Sequence, residues 1–139
     1  MAKVDAVNET KHTSDRFDFY RQLFDRFYLH LYSYMKSRLG GRVPEPDLVA
    51  EAFAAALRGG LPVSESEFGL RLFRSAYGLL DGRKLVGIER EQALLALIFD
   101  GGLTPDEAAQ IMDVSASQGN TILISGLRLR AALGDAAAA

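Results

Sequence analysis

The sequence contains no cysteine and no tryptophan, and only 4 prolines in 139 residues. Without cysteine the chain has no disulfide bond and no thiolate for metal binding, redox chemistry or catalysis. No apolar run approaches the roughly 20 residues that a membrane span requires, and the polar N-terminus lacks the apolar core of a signal peptide. These absences predict a cytoplasmic protein that does not enter a membrane.

Basic residues are missing from a long part of the chain. From Glu91 through Leu127 there is no lysine or arginine, whereas residues 1–85 carry slightly more basic than acidic residues. The formal net charge is −2. Because lysine and arginine supply most of the affinity of proteins for nucleic acid, composition gives no general attraction to DNA.

Helical patterns fill the sequence, and no segment shows the alternation typical of a strand. An aromatic stripe at spacings of three and four predicts one helix from about Asp15 to Leu39, with the stripe in the core: Phe17, Tyr20, Phe24, Phe27, Leu31 and Tyr34. Residues 1–14 before it are expected to be a mobile tail.

Glycine pairs and capping residues divide the rest of the chain. Further helices are predicted over about Asp47 to Arg58, from a capping box at Ser64 and Glu67 to about Leu80, and over about Ile88 to Phe99. The fold class is therefore all-α, in two small units. We place a three-helix unit at 15–82, a linker at 83–87, a second unit at 88–133 and a tail at 134–139.

The second unit ends in the pattern of a helix-turn-helix. Thr104 is an N-cap, Pro105 suits the first helical position and Glu107 completes a capping box. After a short helix and a turn, Ser115 and Gln118 form a second capping box. A short helix, a tight turn and a longer helix are the layout of a DNA-reading unit.

The residues of the longer helix do not match that layout. Gln118, Asn120 and Thr121 stand where a recognition helix reads bases, but the nearest cations, Arg128 and Arg130, come two turns later. Contacts between cations and phosphates position such a helix on the duplex. Here the start of the helix has no lysine or arginine to make them.

Three segments together carry a resemblance to a known family. DLVAEAFAAALRG resembles the region-two helix that docks on the polymerase clamp in sigma factors of the extracytoplasmic-function class, and SEFGLRLFRSAYGLLDGRK resembles the helix that follows it. REQALLALIFDGGLTPDEAAQIMDVS resembles the start of region four. The resemblance covers roughly Phe17 to Leu133 and implies the same two helical units.

The chain departs from working sigma factors in its charges. Their region-four helix is rich in lysine and arginine, whereas this one reads SASQGNTILISGLRLRAAL. The helix after region two brings basic and aromatic residues to melted DNA, and few candidates match it here: Arg71, Phe73, Arg74, Tyr77, Arg83 and Lys84.

AAQIMDVS followed by LISGLR is closer to the sigma-like domain of the PhyR general stress regulators. The resemblance to that domain implies that this protein is a decoy, which binds the small anti-sigma factor NepR and so frees the true sigma factor. PhyR regulators also carry a receiver domain, which this sequence does not contain, so we expect a free-standing sigma-like protein or a fragment.

Two functions follow as hypotheses. A sigma mimic would bind a NepR-like anti-sigma factor through candidate contacts on two helices: Asp47, Leu48, Glu51, Phe53, Ile122, Leu123, Ile124 and Leu127. A divergent sigma factor would instead bind core RNA polymerase and promoter DNA, with candidate DNA contacts at Gln118, Asn120, Thr121, Arg128 and Arg130. The apolar residues of the last helix also suit a third interpretation, simple burial in the helix-turn-helix core.

An enzyme is not expected. Neither His12 nor His30 has metal-ligand spacing, and the glycine pairs end helices rather than follow strands. The sequence therefore predicts no catalytic residue, no metal, no cofactor and no small-molecule substrate.

Overall fold

The computed structural model describes the backbone of residues 2–60, 62, 64–82, 85 and 87–138, with side chains from Asp18 to Leu133 within those ranges. Every regular element there is helical, which confirms the all-α class. No helix within these ranges is both long and apolar enough to cross a membrane.

The described chain forms six α-helices and one π-helical segment: α1 (Ala2–Arg38), α2 (Pro46–Arg58), α3 (Glu65–Asp81), α4 (Ile88–Leu95) continued by the π segment (Ala96–Asp100), α5 (Pro105–Ile111) and α6 (Ala116–Ala138). The bounds of α2 and α3 agree with the sequence-based prediction. The Ser64 hydroxyl accepts from the N–H of Glu67, as predicted for the start of α3, whereas the Glu67 carboxylate pairs with Arg71.

The first and last helices extend beyond their predicted ends. Helix α1 starts at Ala2 rather than near Asp15, because residues 2–14 contain no glycine or proline that would stop a helix. Helix α6 continues through Gly134 to Ala138. The alanines after Gly134 are strong helix formers, so the single glycine does not end the helix.

The aromatic stripe of α1 is only partly interior. Leu31 and Tyr34 are fully buried, and Phe27 is half-buried with its ring 5.6 Å from that of Phe68. Tyr20 and Phe24 are exposed, so for them the predicted core role is wrong. Phe24 still contacts Phe53 on α2, with ring centroids 4.9 Å apart, and both Tyr20 and Phe24 line an open cavity between α1, α2 and α3.

The buried apolar side chains form one continuous cluster that spans both predicted units. Tyr34 and Phe73 belong to it from the first unit, and Leu94 and Leu97 from the second. Leu85, within the predicted linker, is buried in the same cluster, while Arg83, Lys84 and Val86 lie outside the described residues. The two halves therefore touch, and their independence stays a prediction.

The π segment makes much of the contact between the halves. Its backbone widens where the N–H of Gly101 donates to the carbonyl of Ala96 at 2.9 Å. Gly102 follows with a φ of 73°, and a Cβ there would lie 3.2 Å from the ring of His30. His30 Nδ1 donates to the carbonyl of Asp100 at 3.3 Å. His30 is thus an interface residue between α1 and the end of the π segment.

Candidate functional site

Two capping boxes define where α5 and α6 begin. The Thr104 hydroxyl accepts from the N–H of Glu107 at 3.2 Å, and the Glu107 carboxylate accepts from the N–H of Thr104 at 3.0 Å. Ser115 and Gln118 repeat this exchange at 3.1 and 3.0 Å. Both predicted boxes are confirmed, and they leave the starts of both helices with satisfied backbone donors.

Glycine allows α6 to approach its neighbours closely. A Cβ at Gly119 would lie 2.9 Å from the Cβ of Ala109 on α5, and one at Gly126 would lie 3.1 Å from Leu95 on α4. The turn before α6 holds Asp113 at a φ of 57°, the left-handed region that few residues adopt. The packing of α6 on α4 and α5 therefore fixes which face of α6 is exposed.

The polar candidates for base reading all lie on the exposed side of α6, but two of them already have partners. The side-chain oxygen of Gln118 accepts from Ser115 in the capping box, and the Thr121 hydroxyl donates to the carbonyl of Ser117 at 3.1 Å. Asn120 is exposed. A contact of Gln118 to adenine would use the amide oxygen that the cap occupies.

The apolar candidates on α6 separate into a buried and an exposed group. Ile122 is 3% exposed and belongs to the core, so for this residue the partner-contact prediction is wrong. Leu123 is half-buried against the same core. Ile124 is 50% exposed and Leu127 is 42% exposed, because their positions on the helix turn away from Gly119 and Gly126. Only these two offer a large free apolar surface.

The two arginines after this apolar pair differ in their surroundings. Arg128 is exposed, and Arg130 lies with its guanidinium carbon 5.5 Å from the ring centroid of Phe99. Phe99 is itself 54% exposed and did not stand out in the sequence, where it reads as the end of a helix. On the neighbouring turn the Ser125 hydroxyl donates to the carboxylate of Glu91 at 2.7 Å.

The candidates on α2 also separate. Asp47 and Glu51 are exposed, and Glu51 accepts a hydrogen bond from Arg58 at 2.9 Å. Leu48 packs in part against the core. Phe53 is 9% exposed, with its ring 4.9 Å from that of Phe24. The periodicity of α2 points Phe53 inward, so as a partner contact it is wrong.

The residues considered for melted DNA are mostly occupied as well. Phe73 is fully buried and Tyr77 half-buried. Arg71 donates to the carbonyl of Gly60 at 2.8 Å and pairs with Glu67. Arg74 is exposed, while Arg83 and Lys84 lie outside the described residues. This helix therefore presents little of the basic and aromatic surface that strand binding needs.

A polar cluster that the sequence did not predict joins the ends of α1 and α3. Asp81 accepts from the Tyr34 hydroxyl at 2.9 Å and from the Arg38 guanidinium at 2.8 Å. Burial, and then the charge of Asp81 and the hydrogen bond to it, raise the pKa of Tyr34 far above its usual value. Burial lowers the pKa of Arg38, but the hydrogen bond and charge of Asp81 more than offset this and raise it.

The three groups pair with one another and so tie the end of α1 to the end of α3. Little in the sequence points to this cluster, because Asp81 stands 43 residues after Arg38 and belongs to a helix-ending Asp-Gly pair.

Two open cavities lie beside these elements. One, of about 560 Å³, is lined mainly by apolar residues: Tyr20, Arg21, Leu23, Phe24, Asp25, Phe53, Leu57 and Phe68. The other, of about 520 Å³, lies among the end of α1, α4 and α6 and has a mixed lining that includes Arg38, Glu89, Gln92 and Arg130. Among the described side chains, no group of three or more His, Asp or Glu could hold a metal ion.

Comparison with known proteins gives no match: no protein family, no curated protein and no solved structure matches this chain.

Proposed function

We propose that this protein is a sigma-like regulator of transcription that acts by protein–protein contact in the cytoplasm. In this proposal it binds a small anti-sigma factor of the NepR kind and so releases the true sigma factor. The resemblance of three sequence segments to sigma regions two and four supports the assignment to this class of protein.

The single observation that carries the proposal is the exposed face of α6. The start of α6 carries no cation for phosphates, and farther along its exposed face Ile124 and Leu127 are 50% and 42% exposed. Apolar anchors three and four residues apart are what helix-in-groove binding uses. Burying them against a partner is favourable, whereas holding them against a hydrated phosphate backbone gains nothing.

The exposed Asn120 and Arg128 favour a second candidate, a divergent sigma factor that binds core RNA polymerase and promoter DNA. Asparagine can read adenine, and arginine can contact a phosphate. In this candidate the functional surface is the start of α6 together with the arginine that follows the apolar pair, and not the apolar pair itself.

Paired variants separate the two candidates. Ile124→Asp with Leu127→Asp removes the apolar surface, and Asn120→Asp with Thr121→Asp adds negative charge where bases would lie. Binding of each variant to a purified NepR-like anti-sigma factor, and to core polymerase with promoter DNA, is measured by fluorescence anisotropy at two salt concentrations.

We expect the anti-sigma factor to bind the wild type and the Asn120/Thr121 variant. We expect it not to bind the Ile124/Leu127 variant. Circular dichroism verifies that both variants stay helical. The sigma-factor candidate makes the opposite prediction. Binding to promoter DNA with polymerase would weaken steeply with salt, would persist in the Ile124/Leu127 variant and would be lost in the Asn120/Thr121 variant.

A further inference from the structure

A mixed surface surrounds the apolar pair of α6. We call Phe99, Ile124, Leu127, Arg128 and Arg130 the Phe99 patch. Ile124 and Leu127 are neighbours three residues apart, Arg128 follows Ile124 by four and Arg130 follows Leu127 by three, so all four share adjoining rows of the helix. Arg130 reaches over the Phe99 ring, which joins the end of the π segment to α6. The patch is therefore continuous.

The charge of the Phe99 patch is positive, unlike that of the rest of its unit. Asp106 and Asp113 lie in α5 and in the turn before α6, whereas Asp100 directly follows Phe99 and lines the same cavity as Arg130. The carboxylate of Glu91 accepts from Ser125. Arg128 and Arg130 are the cations of α6, and both stand beside exposed apolar side chains.

From this arrangement we propose that the Phe99 patch binds an amphipathic helix whose apolar face is bordered by carboxylates. The inference rests on the proposed function and adds the chemical character of the partner. The apolar anchors of that helix cover Ile124, Leu127 and the open side of Phe99, and its Glu or Asp side chains pair with Arg128 and Arg130.

The contact between Arg130 and Phe99 prepares the patch for a carboxylate. A guanidinium that stacks on a ring keeps its edge donors free. With its position set before binding, Arg130 loses less side-chain freedom when it forms a bidentate pair. A lysine-bordered helix would instead place like charges against both arginines.

The same surface is poorly suited to nucleic acid. Phosphates could pair with the two arginines, but the groups between and beside them are Ile124, Leu127 and Phe99, which would remain against a hydrated backbone. A protein helix satisfies both parts of the Phe99 patch at once.

Two synthetic helical peptides test the proposal with the full-length chain. Both carry leucine at i, i+3, i+4 and i+7, one with glutamate at the flanking positions and the other with lysine. Binding is measured by amide chemical shifts of the isotope-labelled protein and by fluorescence anisotropy. The protein's net charge of −2 does not favour the glutamate peptide in general, so its binding reports the patch.

We expect the glutamate peptide to shift the amides of Phe99, Ile124 and Leu127. Arg128→Glu with Arg130→Glu should weaken it by about tenfold and strengthen the lysine peptide. Arg21→Glu with Arg74→Glu, at exposed positions of α1 and α3 and with the same total change of charge, should alter either affinity by less than about twofold.

Equal binding of the lysine peptide, or binding of neither peptide, would overturn the proposal. So would a DNA duplex that produces the same shifts and loses them in the double arginine variant. Glutamate-peptide binding at the patch without binding of any NepR-like protein would leave this inference standing and the proposed function refuted, so the two failures are distinguishable.

Discussion

The two halves of the core differ in the kinds of side chain that fill them. Around α1–α3 the interior is aromatic, with ring pairs such as Phe27–Phe68 and Tyr34–Phe73 at 5.6 and 5.8 Å, and it contains the buried Tyr34–Arg38–Asp81 cluster. Around α4–α6 the interior is aliphatic and small, and Phe99, the one aromatic residue after residue 86, is exposed.

This difference teaches how each half keeps its shape. Large rings and a buried ion pair hold α1–α3 at a distance and in one register, because moving them opens voids or strands a charge. In α4–α6, glycine and alanine bring backbones close, so that packing depends on the absence of side-chain atoms. We therefore expect α1–α3 to be the more sensitive to deletion of side-chain atoms, and α4–α6 to be sensitive to additions at Gly119 and Gly126.

The largest effect is expected where the aromatic half buries charge. Asp81→Ala should lower the free energy of unfolding by about 3 kcal/mol or more, since it leaves the partly buried Arg38 without its counter-charge and the buried Tyr34 hydroxyl without an acceptor. Urea unfolding followed by circular dichroism measures it. Asp25→Ala, at an exposed position of α1, is the control and should cost less than about 0.5 kcal/mol. A loss below about 1 kcal/mol for Asp81→Ala would contradict this account of the cluster.

The corresponding test of α4–α6 adds side-chain atoms at a contact between two helices. Gly119→Leu should cost about 3 kcal/mol, because a Cβ there already meets Ala109 at 2.9 Å. Gly78→Leu, in a helix with nothing within 4 Å of its Cβ, should be neutral or stabilising. If both leucines are tolerated equally, close approach does not organise this half.

The same variant tests whether the core is one unit. All five tyrosines lie in the aromatic half, so their absorbance reports that half while circular dichroism reports the whole chain. Since the buried cluster is continuous, both probes should shift together in Gly119→Leu. Separate transitions would divide the molecule into two independently folding units.

Alkaline pH should weaken the aromatic half through Tyr34. Its pKa is raised in the folded protein, so above about pH 10 the unfolded chain releases this proton and the folded chain keeps it. Stability contributed by Tyr34 is complete below pH 10 and falls above it by up to about 1.4 kcal/mol per pH unit. Denaturant unfolding between about pH 9 and 11 should show a shallower decline in Tyr34→Phe. Tyr20→Phe, an exposed position, should keep the wild-type slope, and equal slopes in all three proteins would refute the effect.

The smallest expected effect is at the cap of α6. Ser115→Ala removes the acceptor for the N–H of Gln118 and should cost about 1 kcal/mol. Ser117→Ala, two residues later, serves as the control, because an exposed serine inside the helix caps nothing. Thermal unfolding compares the two. An equal shift in both would mean that the box adds nothing to α6.

Local chemistry was readable from the sequence because its causes are local. Thr104 with Glu107, and Ser115 with Gln118, form their boxes across three residues, so spacing alone predicts them. The interior helices, the all-α class and the arrangement of α5, the turn and α6 follow in the same way. The extended ends of α1 and α6 were missed because helix propensity alone, without a clear start or stop signal, does not fix where a helix begins or ends.

The tertiary structure decided everything that depends on distant partners. Asp81 meets Arg38 only when α1 and α3 pack, and Arg130 meets Phe99 only when α6 lies on α4. In the sequence Ile122, Ile124 and Leu127 are equally apolar. The side of α6 on which Gly119 and Gly126 lie packs against its neighbours, so Ile122 is buried and the other two are exposed. The sequence by itself determined the helices, their caps and the charge of each half. Which side chains remained free for a partner was decided by packing, because burial belongs to the neighbours of a residue and not to the residue.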